Sequence, residues 1–199
     1  MKLQLWFPTA VYTETLPNAP ELNKDLIKHI KQWHKKDKGI QKTNRGGWHS
    51  TVDMHKKKEY APLIKELLCM ATGIVREEGY TQPLTLGNMW ANINYPGCFN
   101  KDHLHPNAIW SGVYYIKTPK NCGRLHLEDP RSGANMILPK QLSVAKIPQR
   151  LWKSVNYEPM EGRLMMFPAY LNHCVAVNES KLKGEKGWRI SVSFNFIQQ

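Results

Sequence analysis

Residues 188–197 read WRISVSFNFI, and the alternation in this stretch decides the class of fold. Successive side chains of a β-strand point to opposite faces, so Arg189, Ser191 and Ser193 share one face. The other face carries only apolar side chains, which are Ile190, Val192, Phe194 and Phe196. We expect the apolar face to pack against helices and the polar face to point into a barrel.

Short runs of the same kind fill the chain after Pro83, separated by proline, glycine and asparagine. They are TLGNMWANINY (85–95), AIWSGVYYI (108–116), GRLHLED (123–129), NMILP (135–139), RLWKSVN (150–156), GRLMMFP (162–168) and HCVAV (173–177). Together with residues 188–197 they predict about eight strands, which is typical of an all-β sandwich, barrel or jelly roll. The stretch from Leu3 to Leu16, which Pro8 interrupts, is predicted to be an edge strand.

Two amphipathic helices are predicted before the β region. Apolar residues recur at helical spacing in residues 20–33 and again in 60–78. The polar, basic loop 35–58 lies between them, and we expect Trp48 to anchor it. We interpret His29, His34, His49 and His55 as surface residues. The sequence therefore predicts one domain over residues 1–199, with the N-terminal strand and helices in 1–80 and the β core in 81–199.

Composition and charge narrow the function classes. With 41% hydrophobic residues the chain can bury a core, which excludes disorder as a whole. The 28 basic and 16 acidic side chains give a net charge of +12, and segment 23–65 holds 12 basic and 4 acidic residues, or +8 of that total. Such a run is usually a solvated face. With Trp33 and Trp48 beside it, the same segment also suits an anionic partner such as a nucleic acid or an acidic substrate.

The four cysteines are far apart and form no CxxC pair, which excludes a zinc finger and a thiol redox motif. They favour a reduced, cytoplasmic protein. The N-terminus does not have the pattern of a signal peptide, and no apolar run is long enough for a membrane span. The sequence thus predicts a soluble protein with no membrane partner.

The stretch YPGCFNKDHLHPN (95–107) carries the first candidate for chemistry. On a strand, His103 and His105 point to the same face and can share a metal ion. A third imidazole, His173, follows the turn in FPAYLNH (167–173). Two ligands from one strand and one from a distant strand are the pattern of a facial metal triad on a jelly roll. An arginine that points into such a barrel needs an anion, so Arg189 with the Ser191 hydroxyl suggests a bound carboxylate.

The order of these motifs resembles the 2-oxoglutarate and Fe(II)-dependent oxygenases, specifically a small bacterial and phage group of this superfamily. The resemblance lies in Tyr-x-Gly (95–97), HxH (103–105), SGVYY (111–115), GRLHLEDPR (123–131), FPAYLNH (167–173) and RISVSFNF (189–196). It extends to LWFPTAVY (5–12) and GGWHS (46–50), and so covers nearly the whole chain.

The resemblance implies a double-stranded β-helix, also called a jelly roll or cupin-like fold, with Fe(II) and 2-oxoglutarate as cofactor and cosubstrate. It implies that His103 and His173 are iron ligands, that Arg189 binds the far carboxylate of 2-oxoglutarate, and that Tyr95 supplies a phenol to the same molecule. The implied reaction couples decarboxylation of 2-oxoglutarate to succinate with oxidation of a carbon–hydrogen bond, by default a hydroxylation.

One departure from the superfamily pattern concerns the third ligand. The usual motif is HxD or HxE, whereas this chain has His105 at the third position. Three neutral imidazoles leave a divalent ion with its full charge, which favours anionic ligands. We predict His105 as the third ligand, with Asp102 and Asp129 as the alternatives.

Two other functions remain compatible with the residues. One is a non-catalytic, basic jelly-roll module that binds an anionic polymer or sugar through segment 23–65. The other is a three-histidine iron dioxygenase that does not use 2-oxoglutarate, against which Arg189 argues. The sequence predicts neither the substrate nor the oligomeric state.

Overall fold

The computed structural model describes residues 1–131, 133, 136, 140 and 147–198. The helices are α1 (Ala19–Lys36) and α2 (Ala61–Glu77). The strands are β1 (Tyr12–Thr15), β2 (Asn44–Arg45), β3 (Trp48–His49), β4 (Thr85–Asn94), β5 (Phe99–His103), β6 (Trp110–Lys117), β7 (Leu125–Glu128), β8 (Ser154–Tyr157), β9 (Arg163–Pro168), β10 (His173–Val175) and β11 (Arg189–Ile197). Short 3-10 turns lie at Met54–Lys56, Lys58–Tyr60, Gln149–Leu151 and Gly184–Gly187.

The strands form two antiparallel sheets. The larger sheet has the order β1-β9-β6-β11-β4-β3 and the smaller one the order β2-β5-β10-β7-β8. The alternating stretch 188–197 contains β11, which lies inside the larger sheet between β4 and β6. The predicted mainly β architecture, a jelly roll supported by two N-terminal helices, is confirmed.

The two helices pack on the outer face of the larger sheet. Their apolar stripes, Leu22, Leu26 and Ile30 in α1 and Leu63, Leu67, Ala71 and Ile74 in α2, are buried. They belong to one cluster with Ile190, Val192, Phe194 and Phe196, which are the apolar face of β11. The predicted division of β11 into a helix-facing side and an inner side is therefore confirmed.

Gly112 in β6 allows this packing at the centre of the sheet. A Cβ at this position would lie 2.3 Å from Cζ of Phe194 and 2.5 Å from the Met165 carbonyl oxygen. No side chain fits at such distances, so β6 and the Phe194 ring can approach each other only with glycine there.

A second, smaller cluster fills part of the space between the sheets. It consists of Val113, Tyr115, Leu125, Leu127, Met165, Phe167 and Leu171. Several of these side chains also form a wall of a cavity of about 350 Å³ that occupies the space beside them. The inner faces of both sheets therefore line one pocket, which is where the site lies.

Local details differ from the sequence expectations. The N-terminal strand is confined to β1, which is an edge strand as predicted. The loop 35–58 contains β2 and β3, and Trp48 anchors it by donating a hydrogen bond from Nε1 to the Asp37 carbonyl (2.9 Å). Of the run NMILP (135–139), only Met136 lies within the described residues. The run 150–156 yields a strand only from Ser154, at the start of β8.

No helix in the described part of the chain is both long and apolar enough to cross a membrane.

Candidate metal centre

His103 and His173 face each other from neighbouring strands. They are partners in the register of β5 and β10, and their ring centroids are 4.3 Å apart. A backbone carbonyl orients each ring through a hydrogen bond to Nδ1. Nδ1 of His103 lies 2.7 Å from the Lys101 carbonyl oxygen, and Nδ1 of His173 lies 2.8 Å from the Leu171 carbonyl oxygen. A carbonyl only accepts hydrogen bonds, so Nδ1 carries the proton in both neutral rings. The lone pair of Nε2 is therefore free for a metal ion.

His105 reaches the same place from beyond the end of β5. The strand ends at His103, and a hydrogen bond from the His105 amide to the Ala169 carbonyl (3.2 Å) holds the segment that follows. The ring of His105 stacks on that of His173 with centroids 5.0 Å apart. One ligand nitrogen from each of the three histidines lies within 4.8 Å of the others. His103 and His105 therefore enter the same cluster, as their i, i+2 spacing predicts, although β5 ends at His103.

Burial keeps all three imidazoles neutral. It lowers the pKa of His105 to about 3 and that of His173 to about 4, and repulsion from neighbouring histidines adds to both shifts. The pKa of His103 is also lowered, mainly by burial. Neutral imidazoles have the lone pair that a metal needs, and three nitrogen donors fit Fe(II) among the first-row divalent ions.

Neither carboxylate that the sequence left open lies with the histidines. Asp102 is exposed on β5. Asp129 accepts hydrogen bonds from the guanidinium of Arg131 at 2.9 and 2.8 Å. Within the described residues, the cluster that can hold a metal contains histidines only. A divalent ion there would keep its full positive charge and attract anionic ligands.

A buried arginine shares the cavity with the three histidines. Arg189, the first residue of β11, is only 2% exposed and lines the pocket. Its Nη1 donates hydrogen bonds to the carbonyls of Cys122 (2.7 Å) and Gly123 (3.1 Å). No carboxylate in the described part of the chain pairs with it. Burial lowers the pKa of Arg189, yet a guanidinium stays charged at neutral pH. The side chain therefore has unused donors and a strong preference for an anion.

Two hydroxyl groups lie beside Arg189. Ser191 is the next inward residue of β11, and its partner across the sheet on β6 is Tyr115. Both line the cavity. Burial raises the pKa of Tyr115 to about 12, although the nearby Arg189 opposes the shift, so the phenol is a neutral donor. A carboxylate bound here would meet the positive charge of Arg189 and the hydroxyl groups of Ser191 and Tyr115.

Tyr95, which was expected in this group, lies elsewhere. Its hydroxyl is 2.9 Å from Nε2 of His34 in α1, and its ring packs against Trp188. Asn94, the last residue of β4, lines the cavity, so the residue after it points to the opposite side of the sheet. The prediction for Tyr95 is wrong for this reason, and Tyr115 is the tyrosine beside Arg189.

Comparison with known families identifies the fold and the chemistry together. Residues 88–195, just over half of the chain, match the sequence profile of the family described as "Putative 2OG-Fe(II) oxygenase". This range contains the three histidines and Arg189. The chain belongs to this oxygenase family. Its cofactor and cosubstrate are accordingly Fe(II) and 2-oxoglutarate, and the three-histidine cluster fits the metal. No curated protein matches the sequence of this oxygenase.

Solved structures share the fold of this oxygenase at low sequence identity. A prolyl-4-hydroxylase from Pseudomonas putida has a TM-score of 0.66 and 15% identity, over 96% of this chain and 94% of that one. The epimerase SnoN from nogalamycin biosynthesis, in complex with Fe3+, alpha ketoglutarate and nogalamycin RO, has a TM-score of 0.65 and 10% identity, over 96% and 79%. The viral collagen prolyl hydroxylase of Paramecium Bursaria Chlorella virus-1 has a TM-score of 0.56 and 13% identity, over 93% and 95%.

The oxygenase cavity also contains a fourth histidine. His49, expected on the surface, is only 4% exposed and lines the pocket. Gly46 and Gly47, with φ of 69° and 71°, turn the chain from β2 in one sheet to β3 in the other and so carry His49 inside. Its ring stacks on Trp90 with centroids 5.5 Å apart, and its Nδ1 lies 2.6 Å from the Ser50 carbonyl oxygen. A two-residue strand has no periodicity from which this position could be predicted.

Polar side chains line much of the remaining cavity wall. They are Lys42, Thr43, Asn88, Asn92, Asn94, Asn100, Ser193 and Asn195. Asn195 continues the inward face of β11 two residues beyond Ser193, so the alternation contained a signal for it.

Proposed function

We propose that this oxygenase oxidises a carbon–hydrogen bond of its substrate and converts 2-oxoglutarate to succinate and carbon dioxide in the same cycle. In the default outcome, hydroxylation, one O₂ is consumed, with one oxygen atom in succinate and the other in the hydroxylated product. The observation that carries the proposal is the buried Arg189, without a carboxylate partner in the described chain, in the same cavity as three neutral histidines.

The histidine side of the cavity holds the metal in this proposal. His103, His105 and His173 are the ligands, and backbone carbonyls fix the rings of the first and the last in the orientation that metal binding needs. Bound Fe(II) supplies the activation of O₂ and the redox chemistry. Because the protein contributes no negative charge to the ion, the anionic cosubstrate provides it.

The arginine side holds the far carboxylate of 2-oxoglutarate. Arg189 binds this group with its planar guanidinium, and the hydroxyl groups of Ser191 and Tyr115 donate to the same oxygens. The carbonyls of Cys122 and Gly123 fix the arginine in place before the ligand arrives. Such a prearranged group lowers the entropy cost of binding.

The apolar wall of the cavity keeps the reacting centre dry. Trp90, Val113, Leu125 and Phe167 line it, and the Phe167 ring lies against His173 with centroids 4.9 Å apart. Exclusion of water strengthens the charge interactions in the pocket and protects reactive species from side reactions.

Succinate formation tests this proposal directly. The purified protein, reconstituted with Fe(II) and supplied with 2-oxoglutarate, ascorbate and O₂, is expected to form succinate slowly even without its substrate. His173→Ala should abolish the reaction, whereas Arg124→Met, a change on the surface, should not. Succinate at the level of the His173→Ala variant in the wild-type protein would contradict the proposal.

Arg189 also separates this function from a three-histidine dioxygenase that uses no cosubstrate. Such an enzyme needs no anion-binding group buried deep in the pocket. Burying a guanidinium without a partner is costly, so the chain tolerates it only where a ligand repays the cost. The arginine therefore favours 2-oxoglutarate dependence.

We further propose that the basic segment 23–65 attracts an anionic substrate or partner. Lys42 of this segment lines the cavity, so its positive surface continues to the mouth of the site. Attraction of this kind weakens as salt screens it. Binding of a labelled single-stranded oligonucleotide that falls steeply with salt, and that Lys42→Glu weakens, would support an anionic partner. Equal binding at low and high salt would contradict it.

We also infer an intracellular location. All four cysteines are free thiols, as expected in a reducing compartment. Fractionation of the host cell would test this inference, and recovery of the protein outside the cell would contradict it.

A further inference from the structure

The three histidines of the metal centre differ in what holds their second nitrogen. In His103 and His173, Nδ1 donates to a backbone carbonyl, which fixes the tautomer that leaves Nε2 free. His105 has no backbone carbonyl in this position. Its Nδ1 lies 3.4 Å from the side-chain nitrogen of Asn195 on β11. The second nitrogen of the third ligand therefore contacts a side chain rather than a backbone carbonyl.

Asn195 is itself held on both sides. It is 6% exposed, its side-chain oxygen accepts a hydrogen bond from the Ser111 hydroxyl (2.7 Å), and its nitrogen donates to the side-chain oxygen of Asn88 (2.8 Å). The same nitrogen has a second hydrogen, which can be donated to Nδ1 of His105. In this arrangement Nε2 of His105 carries the proton and donates it to Nε2 of His173, 3.2 Å away.

This tautomer cannot bind a metal through Nε2, because the proton occupies the lone-pair position. Rotation of the Asn195 amide by 180° allows the proton of His105 to move to Nδ1, which frees Nε2 for the metal. The amide oxygen then accepts from Nδ1–H of His105, and its nitrogen donates to the Ser111 hydroxyl, which can accept as well as donate. The Asn88 amide rotates in the same way and donates to the Asn195 oxygen. The contacts of Asn195 with Ser111, Asn88 and His105 are hydrogen bonds in both states, and metal coordination replaces the hydrogen bond between His105 and His173.

We propose that Asn195, held by Ser111 and Asn88, is the positioning residue that sets the tautomer of His105, and that its amide rotates when His105 becomes a metal ligand. The inference rests on the proposed three-histidine centre. A carboxylate in the third position would have no tautomer to set. Control of the tautomer is therefore a requirement that arises only with histidine at this position.

Metal affinity and the nitrogen NMR signals of His105 test the proposal together, with Zn²⁺ as the probe. In the metal-free wild-type protein, ¹⁵N signals should show the proton of His105 on Nε2, and after Zn²⁺ addition on Nδ1. Asn195→Leu should weaken Zn²⁺ binding about 10- to 100-fold, the usual effect of losing the partner of a ligating histidine. Asn195→Asp, which can only accept from Nδ1–H, should restore wild-type affinity or exceed it and place the proton on Nδ1 even without metal.

The matched control is Asn92→Leu. Asn92 lines the same cavity, but its amide donates to Ser193 rather than to a histidine, so this change should leave Zn²⁺ affinity and the His105 signals unchanged. Wild-type affinity in Asn195→Leu, or the same His105 tautomer with and without Zn²⁺, would overturn the proposal. If His105→Ala also binds Zn²⁺ as tightly as wild type, the three-histidine centre itself fails. If Asn195→Leu does not fold, the Asp variant and the wild-type NMR comparison still decide the matter.

Discussion

Replacing Arg189 with methionine is expected to cost this oxygenase most of its affinity for 2-oxoglutarate. Methionine is unbranched and apolar, so it fills much of the same space without a charge. The native guanidinium is 2% exposed and makes hydrogen bonds only to the carbonyls of Cys122 and Gly123. In the variant, the far carboxylate of the ligand would be buried with two hydroxyl groups but without a counter-charge.

The size of the effect follows from the loss of one partner from a buried charge pair. Such a loss costs about 2 to 5 kcal/mol, and 2 kcal/mol corresponds to an approximately 30-fold weaker affinity. At a ligand concentration of about 100 times the wild-type Kd, the wild-type protein gains about 2.7 kcal/mol of stability from the ligand. A variant that binds 30-fold more weakly gains about 0.9 kcal/mol under the same conditions. For a chain of this size, the rise in Tm falls from roughly 5–11 °C to roughly 2–4 °C.

Anaerobic isothermal titration calorimetry of the Fe(II)-loaded proteins gives their affinities for 2-oxoglutarate. Thermal unfolding with and without 2-oxoglutarate gives the shift in Tm of each protein. Arg163→Met is the matched control, because Arg163 begins β9, donates to the Glu158 carbonyl and does not line the cavity. The control should bind 2-oxoglutarate as the wild type does. An unchanged affinity in Arg189→Met would refute the assignment of the carboxylate site.

Three further predictions concern the histidines and tyrosines. His49→Phe should change the Fe(II) affinity less than about twofold, since the group that can share a metal contains only three histidines; a loss similar to that of His103→Ala would make His49 a ligand. Tyr115→Phe should weaken 2-oxoglutarate binding by roughly 0.5–1.5 kcal/mol for the lost hydrogen bond, whereas Tyr95→Phe should not affect it; calorimetry showing the reverse order would restore the role of Tyr95. The free energy of unfolding of the metal-free protein should be level above about pH 7.5 and should fall as the pH drops through 6.5 towards 4, because the unfolded chain then binds protons at His105 and His173 whereas both buried imidazoles stay neutral in the folded protein. The slope should reach up to about 1.4 kcal/mol per pH unit for each histidine, and urea unfolding that is independent of pH in this range would contradict the neutral state of the cluster.

The parts of the site on long strands could be predicted from the sequence. The alternation of β11 placed Arg189 and Ser191 inward because nine consecutive residues repeat with the period of a strand. The same rule, applied to β4, turns Asn94 inward and therefore Tyr95 outward. The resemblance to the superfamily implied that Tyr95 contacts 2-oxoglutarate. The alternation of side chains along β4 instead directs Tyr95 away from the cavity.

The parts of the site outside the long strands could be predicted only in part. His105 lies after the end of β5, and its place depends on a hydrogen bond to Ala169, a residue distant in sequence. His49 enters the cavity on a two-residue strand behind two glycines with positive φ. The spacing of two residues from His103 predicted the position of His105, whereas nothing in the local periodicity predicted that of His49.

The most direct test of the three-histidine, 2-oxoglutarate-binding centre is an anaerobic titration of the metal-free protein with Fe(II) and then with 2-oxoglutarate, followed by visible absorption. We predict a metal-to-ligand charge-transfer band that appears only when both are present, that is lost in His103→Ala, His105→Ala and His173→Ala, and that needs a higher 2-oxoglutarate concentration in Arg189→Met. Iron binding without the band in the wild-type protein, or a band of full intensity in His105→Ala, would contradict the account.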